Sequence, residues 1–330
     1  MKALVLDDSM NLQIKECEKP IVKPNEVLIK VKASAINHRE LWIQQGLYPG
    51  LTLPCILGAD GSGIVAKVGE DVDTDWLNED IIIYPGYDWG ENEEYPSRAF
   101  RVLGMPDPGT MAEYITVPVK NIVKKPKYLS WAEASAIPVA SLTAWRALTR
   151  HGKIKPGDNI LITGIGGGVA QAGLALALAF KANVYVTSSS KKKIAFAKTL
   201  GAIDGVNYKD EDWNVQLKEM SKGIDIVLDS SPSSILDDYF KFMNYGGRIV
   251  TYGSTGSRKT TINISKFFLR HIQFIGTAMG SPNEFKALIA FLEDHKIKPL
   301  IHEQFYFESG LEAFDALRKG TQIGKIVLVH

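Results

Sequence analysis

Residues 160–180, ILITGIGGGVAQAGLALALAF, join a buried-strand pattern to an apolar helical pattern through glycines at 164, 166, 167 and 168. Glycine there permits a tight turn and a close approach of backbone to ligand. It also leaves the first amides of the helix free to face a pyrophosphate. The segment therefore predicts a strand–turn–helix unit that binds a dinucleotide. The strict G-x-G-x-x-G spacing is not met, because the last position falls on Val169 when counted from Gly164 and on Gln171 when counted from Gly166. A phosphate loop of the Gly-Lys-Ser/Thr kind is excluded, since no such tripeptide follows. Taken alone, the turn also suits other α/β folds.

Its surroundings narrow the choice. From about Ile122 the chain alternates strand-like runs (Asn159–Thr163, Val184–Thr187, a short run ending at Tyr208, Ile224–Asp229, Arg248–Tyr252, Ile272–Gly276) with helical segments. The helical segments are Ala170–Phe180, Lys191–Leu200, Trp213–Met220 and Ser234–Met243. That is the content of a doubly wound parallel sheet, a Rossmann domain. The first 120 or so residues instead carry short β-type runs between Gly and Pro: Val27–Ala35, Gly61–Val68, Asp80–Tyr84 and Met111–Val117. Tyr84–Pro108, with its acidic cluster (Asp88, Glu91, Glu93, Glu94), reads as a long surface loop. The tail (helical Asn283–Glu293, then Lys298–His302 and Lys325–His330) is too short for its own core and is expected to dock on the first domain. The predicted fold class is α/β, with a discontinuous β-rich domain (1–121 and 280–330) and a Rossmann domain (122–279).

At 330 residues, about two domains are expected. Lys plus Arg is 38 against 37 acidic residues, so no basic excess points to nucleic acid and no acidic excess to a solvated tail. The longest apolar run, near Val169–Phe180, is far below the roughly 20 residues of a membrane span. The start, MKALVLDDSM, does not read as a signal peptide. Cys17 and Cys55 are too few for a disulfide framework or a thiolate zinc site, and point to a reducing, cytoplasmic setting. Cys17 has no visible activating partner and Cys55 lies in an apolar stretch, so neither reads as a nucleophile. The expectation is a small-molecule substrate, with neither nucleic acid nor membrane as partner.

The end of the second Rossmann strand bears on the choice of dinucleotide. NAD enzymes usually place an acid there, about 20 residues after the glycine turn, on the ribose hydroxyls. Here the chain reads Ser188-Ser189-Ser190-Lys191-Lys192-Lys193, with no Asp or Glu between Gly164 and Asp204. A carboxylate would repel a 2′-phosphate, whereas hydroxyls and a lysine would bind it. A basic first helical turn also opposes the helix dipole unless an anion sits beside it. NADP(H) is the expected cofactor.

The whole chain resembles the medium-chain dehydrogenase/reductase superfamily, and most of all its zinc-independent, quinone oxidoreductase-like branch. The markers are AINHRELWIQQGLYP (35–49), LPCILGADGSGIVAKVG (53–69), GTMAEYITVP (109–118), AIPVASLTAWRAL (136–148), the glycine turn, IVLDSS (226–231), GGRIVTYGSTG (246–256) and IGKIVLVH (323–330). The resemblance implies a GroES-like first domain, a Rossmann second domain and a cleft between them. It also implies a homodimer or homotetramer formed through the last Rossmann strand, around Ile272–Met279. Zinc-dependent members of the superfamily read Cys at the position of Asn37, and Gly-His-Glu where this chain has Gly58-Ala59-Asp60. The structural-zinc cysteines expected around Asp88–Pro108 are absent too. Asp60 survives as a carboxylate and His38 sits next to Asn37, but one carboxylate and one imidazole do not make a three-ligand site, so no metal is expected.

Without a Lewis acid, oxidation of an alcohol is disfavoured. Reduction of a quinone or an α,β-unsaturated carbonyl needs only hydride, orientation and hydrogen-bond donors for the developing anion. By resemblance, Asn37, Tyr48 and Asp60 stand at the nicotinamide end of the cleft. Thr143 lies by the carboxamide; Gly166, Gly167, Gly168 and Val169 lie at the pyrophosphate. Ser188 and Lys193 take the 2′-phosphate, and Tyr208 the adenosine ribose. Ser230, Tyr252 and Gly253 take the nicotinamide ribose, with Thr277, Met279 and Lys325 as further cofactor contacts. Bland roles stay open: Asn37 as a turn residue, Tyr48 as a wall aromatic, and Asp60 as a structural carboxylate paired with a base such as Arg39. Two other functions also remain, a zinc-type alcohol dehydrogenase and a non-catalytic NADP(H)-binding regulatory protein.

Overall fold

The computed structural model describes residues 1–231, 236–255 and 259–330. Its contacts divide the chain into two compact units, Met1–Leu142 with Gly280–His330, and Thr143–Met279.

The first unit opens with strands β1 (Lys2–Leu6), β2 (Leu12–Glu16) and β3 (Glu26–Ile36), then helix α1 (His38–Gln44). It continues through β4 (Cys55–Ile56), β5 (Asp60–Val68), β6 (Asp80–Ile83), β7 (Gly86–Tyr87), β8 (Arg101–Val102), β9 (Tyr114–Pro118) and β10 (Ile122–Lys124). Helix α2 (Trp131–Ser135) follows, and the division between units falls within α3 (Pro138–Arg146). The tail returns to this unit as α9 (Pro282–His295), β17 (Ile301–Tyr306), α10 (Gly310–Lys319) and β18 (Lys325–Val329). Its main sheet runs β10-β6-β5-β3-β18-β17, with β9 also on β3, and a smaller sheet runs β2-β1-β4. Leu4, Ile36, Ile43, Leu57, Phe314 and Leu328 form the core between the small sheet, α1 and α10.

Several elements here carry no strong local pattern. The strand predicted from Met111 begins at Tyr114, because the Met111 backbone is used elsewhere: its N–H bonds Leu57 O and its carbonyl takes the N–H of Leu4. Tyr84–Pro108 is not simply a surface loop, since it pairs β7 with β8 and buries Trp89, Leu103 and Met105.

The second unit holds β11 (Asn159–Ile162), α4 (Gly168–Ala179), β12 (Asn183–Ser188), α5 (Lys191–Thr199), β13 (Asp204–Asn207) and α6 (Trp213–Ser221). It goes on with β14 (Ile224–Asp229), α7 (Leu236–Phe242), β15 (Met243–Thr251), α8 (Ile264–Leu269) and β16 (Gln273–Gly276). Ser234 and Ile235 of the predicted helical segment Ser234–Met243, and Gly256 of one sequence marker, lie outside the described residues. All pairings in this sheet are parallel, in the order β13-β12-β11-β14-β15-β16. Numbered within the unit this is 3-2-1-4-5-6, the dinucleotide-binding Rossmann order, with its switch point at the end of β11. A glycine outside the predicted motif makes the packing possible. A Cβ at Gly173 would come within 2.5 Å of Leu228 Cδ2, so only glycine lets α4 lie this close to β14.

His330, beyond β18, illustrates a buried polar group whose charge state matters. Its ring stacks on Phe307 at 4.5 Å, Nε2 lies 3.1 Å from Ser34 Oγ, and Nδ1 is enclosed without a partner. Burial therefore pushes the imidazole pKa down to about 4. Between the usual value near 6.5 and about 4, the unfolded chain binds a proton that the folded chain refuses, so acid favours unfolding. Wild type is expected to lose roughly 1–2 kcal/mol more stability than His330→Gln between pH 7.5 and pH 5, by urea denaturation. Equal losses in the two proteins would refute this.

Candidate active site

Three adjacent strands of the first unit assemble one polar cluster. In the register, Ala35 of β3 faces Asp60 of β5, and Ile36 faces Ile326 of β18. Asn37, Asp60 and Lys325 thus emerge side by side at one end of the sheet, although far apart in sequence. Lys325 is 5% exposed, and each of its three N–H bonds has an acceptor: Ile36 O at 3.0 Å, Asp60 Oδ2 at 3.1 Å, and Asn37 Oδ1. Asn37 Nδ2 donates to Asp60 Oδ2 at 3.0 Å, and Asp60 Oδ1 accepts the backbone N–H of Val139 at 2.8 Å, near the start of α3. Thr110 Oγ1 closes the shell on the Asp60 carbonyl at 2.6 Å. The amide of Asn37 is consequently fixed: its oxygen faces an ammonium, and one of its N–H bonds faces a carboxylate. Asp60 pairs with Lys325 rather than with Arg39.

Next to this cluster, Asn37 caps α1, and Glu40 Oε2 accepts its backbone N–H at 2.8 Å. Glu40 Oε1 takes Nη1 of Arg39 at 3.0 Å, and the same Nη1 donates to Leu103 O at 2.6 Å. Arg39 Nε and Nη2 are buried, and the Tyr48 hydroxyl interacts with the guanidinium. The ring of half-buried Tyr48 lies 5.0 Å from the guanidinium carbon. His38 is exposed by surface area, and desolvation and the Lys325 ammonium lower the pKa of its imidazole. Burial pushes the Cys55 thiol up to about 11, which leaves it protonated and inert.

In the second unit the glycine turn takes the predicted place between β11 and α4. Gly164 has φ +60°, in the left-handed region. Gly167 is the extended N-cap of α4 and supplies no side-chain cap, so the first amides of a 12-residue helix that starts at Gly168-Val169 are left for an external acceptor. Ser188 ends β12 with its hydroxyl accepting the Ser190 N–H at 3.1 Å. Ser190 caps α5 on the N–H of Lys193, whose half-buried ammonium has its pKa lowered by desolvation. Tyr208, just past β13, is 38% exposed.

The strand ends of the other half carry a buried network that sequence reasoning did not foresee. Asp229 accepts Thr163 Oγ1 at 2.6 Å, Tyr239 Oη at 2.7 Å and the N–H of Ser231 at 2.9 Å. Ser230 N–H in turn reaches Thr163 Oγ1 at 3.2 Å, so the Ser230–Ser231 turn is held from below. A Cβ at Gly253 would sit 2.9 Å from Ser230 O, and burial raises the pKa of the neighbouring Tyr252 hydroxyl. Thr277 lies past β16 with its Oγ1 buried and unpaired, and Met279, at φ +56°, gives its N–H to Thr143 Oγ1 at 3.2 Å. The predicted site residues thus fall into two groups, one in each unit: Asn37, Tyr48, Asp60 and Lys325 in the first, and the remaining predicted cofactor residues in the second.

A dinucleotide fits the second group. The uncapped α4 terminus suits a phosphate, and the Thr277 hydroxyl is buried without a partner. Zinc does not fit the first. The cluster offers an amide and a carboxylate that already share an ammonium, and among the described residues no set of three His, Cys, Asp or Glu side chains could hold a metal ion. Among those residues, too, no helix is long and apolar enough to cross a membrane.

Comparison with known proteins agrees with this architecture. Residues 23–127 match the alcohol dehydrogenase GroES-like domain, and residues 168–294 match the zinc-binding dehydrogenase family. A zinc-type alcohol dehydrogenase-like protein, YogA, of Leptosphaeria maculans is 36% identical over 96% of this chain and 94% of its own. An alcohol dehydrogenase of Geobacillus stearothermophilus is 30% identical over 99% of both chains. A crystal structure of an NAD-dependent alcohol dehydrogenase superposes with a TM-score of 0.93 at 33% identity over 100% of both chains. The chain belongs to the medium-chain dehydrogenase/reductase superfamily and is an oxidoreductase of that class.

The buried pair at its first site is a strong structural constraint. Lys325→Met leaves the Asp60 carboxylate buried without its cation and is expected to cost about 3–5 kcal/mol in urea denaturation. Adding Asp60→Asn should recover a good part of that loss, and strict additivity of the two changes would show that the pair is not coupled.

Proposed function

We propose that this chain is an NADPH-dependent reductase that passes hydride to a quinone or an α,β-unsaturated carbonyl without zinc. One observation carries the reading: where zinc-dependent members of the superfamily bind their metal, this chain has Ala59 in place of a ligand, and Asn37 and Asp60 hold the Lys325 ammonium. Such a cluster does not acidify an alcohol, but it presents a fixed hydrogen-bond donor. With its oxygen on Lys325 and one N–H on Asp60, the Asn37 amide has a second N–H left for the acceptor oxygen. When bound, the reduced nicotinamide supplies the hydride. In an enone the hydride adds to the β-carbon and the π pair moves onto the oxygen as an enolate, which Asn37 and the Tyr48 hydroxyl stabilise. Water then protonates the α-carbon.

For the cofactor, the α4 amides suit the pyrophosphate. Ser188 with Lys193 suits a 2′-phosphate, because no carboxylate stands at the end of β12 to repel it. The names of the relatives favour a second reading, an alcohol dehydrogenase using NAD. Metal-stripped protein decides between them. The reductase reading expects faster turnover of an ortho-quinone and a short enal with NADPH than with NADH, and a Ser188→Asp variant that loses the preference. Loss of activity on stripping that zinc restores would sink it, and tight NADPH binding with no turnover on any acceptor would favour the non-catalytic alternative.

We also propose a homodimer paired through β16. This is an edge strand with Phe274 exposed, and beside it α8 exposes Ile264, Phe268 and Leu269. An apolar edge of this kind is ordinarily covered. Sedimentation velocity should find a dimer that Phe268→Glu with Phe274→Lys converts to monomer; a monomeric wild type would overturn the assignment.

A further inference from the structure

The residues that follow Met279 are gripped by a single carboxylate from a distant loop. Of the acidic side chains Asp88, Glu91, Glu93 and Glu94, three are exposed and Glu93 alone is half-buried. Its Oε1 accepts Asn283 Nδ2 at 2.8 Å, and its Oε2 accepts the hydroxyl of fully buried Ser281. Ser281 caps α9: its hydroxyl accepts the Glu284 N–H at 3.1 Å, and Glu284 Oε2 accepts the Ser281 N–H at 2.8 Å. The first-turn amides of this 14-residue helix favour a carboxylate beside them. Glu93 reaches them because its loop is folded on itself. Trp89 is buried, meets Phe100 edge-on at 5.1 Å and gives its indole N–H to Asn92 O at 2.9 Å. Ser97 Oγ donates to Asp88 O at 2.6 Å, and Tyr84, just before the loop, gives its hydroxyl to Gly280 O at 2.8 Å.

The segment that precedes Gly280 in the chain carries predicted cofactor residues. Met279 holds φ +56°, a left-handed conformation that a residue with a Cβ disfavours, and its N–H reaches Thr143 Oγ1 at 3.2 Å. Thr277 gives its N–H to Thr251 O at 2.9 Å, while its hydroxyl is buried without a partner among the described residues. We propose that Glu93 is a positioning residue for the cofactor: by fixing Ser281 and Asn283, it holds Thr277–Met279 in the conformation that receives the nicotinamide carboxamide beside Thr143. This rests on the dinucleotide reading above, and adds to it a remote residue that sets affinity at one end of the ligand.

Calorimetry on the full chain tests this with two ligand pairs: NADPH with 2′-phospho-ADP-ribose, and NADH with ADP-ribose. The second member of each pair lacks the nicotinamide. Glu93→Ala is expected to weaken NADPH and NADH alike, by at least about fivefold, and to leave the truncated ligands within about twofold. Glu93→Gln, which keeps one acceptor oxygen of the two, should fall between. Glu91→Gln, exposed on the same loop, should change nothing. Unchanged dinucleotide binding in Glu93→Ala overturns the proposal. Equal weakening of the whole and truncated ligands overturns it too, because a merely structural role would act on both. If Glu93→Ala does not fold, Glu93→Gln decides by the same comparison. The wild type separates this claim from the reading beneath it. Equal affinity for NADPH and NADH sinks the NADPH preference, yet a fivefold loss of NADH in Glu93→Ala still supports the positioning role. A wild type that binds neither dinucleotide removes both.

Discussion

The ammonium of Lys325 against the carboxylate of Asp60 is the contact on which the first unit is organised. Neither charge is stable away from water alone; each is buried because the other, together with Ile36 O, Asn37 and the Val139 N–H, completes its shell. To satisfy both, β5, β3 and β18 must lie adjacent and in register, and the last of these comes from the far end of the chain. The cluster therefore pins the returning tail to the first unit. It also fixes which way the Asn37 amide points, and so ties fold to chemistry at one place.

The second unit solves a different problem by different means. On the proposed function, a pyrophosphate would need unpaired backbone donors, and α4 starts with glycines that bring no capping side chain. The rest of the strand-end edge is made rigid from beneath by Asp229, which anchors Thr163, Tyr239 and the Ser230–Ser231 turn. A fully bonded buried carboxylate of this kind holds a loop in one conformation and leaves its neighbours available to a ligand. Gly173 adds the close helix-to-sheet packing that the interrupted glycine motif does not contain.

Much of this was legible in residue order. Local periodicity located the strands and helices of the parallel sheet to within a few residues, because a strand buried on both faces and an amphipathic helix each leave a repeating apolar pattern. The β-rich unit was less legible. Its two-residue strands β4, β7 and β8 are shorter than any pattern. Asp60 could be named from its motif, but its partner could not, since Arg39 is the nearer base in sequence and Lys325 is the one the sheet brings to it.

By itself, the sequence determined the Rossmann half, the absence of thiolate and imidazole at the position of a catalytic zinc, and the lack of an acid at the end of β12. Each of these is a property of contiguous residues. Tertiary structure alone decided that Lys325 stands among Asn37 and Asp60, that Asp229 supports the strand-end turn, and that Arg39 is buried against Glu40 and Tyr48. Those facts depend on which distant strands become neighbours and on which buried donors find acceptors, and neither is encoded in the spacing of residues along the chain.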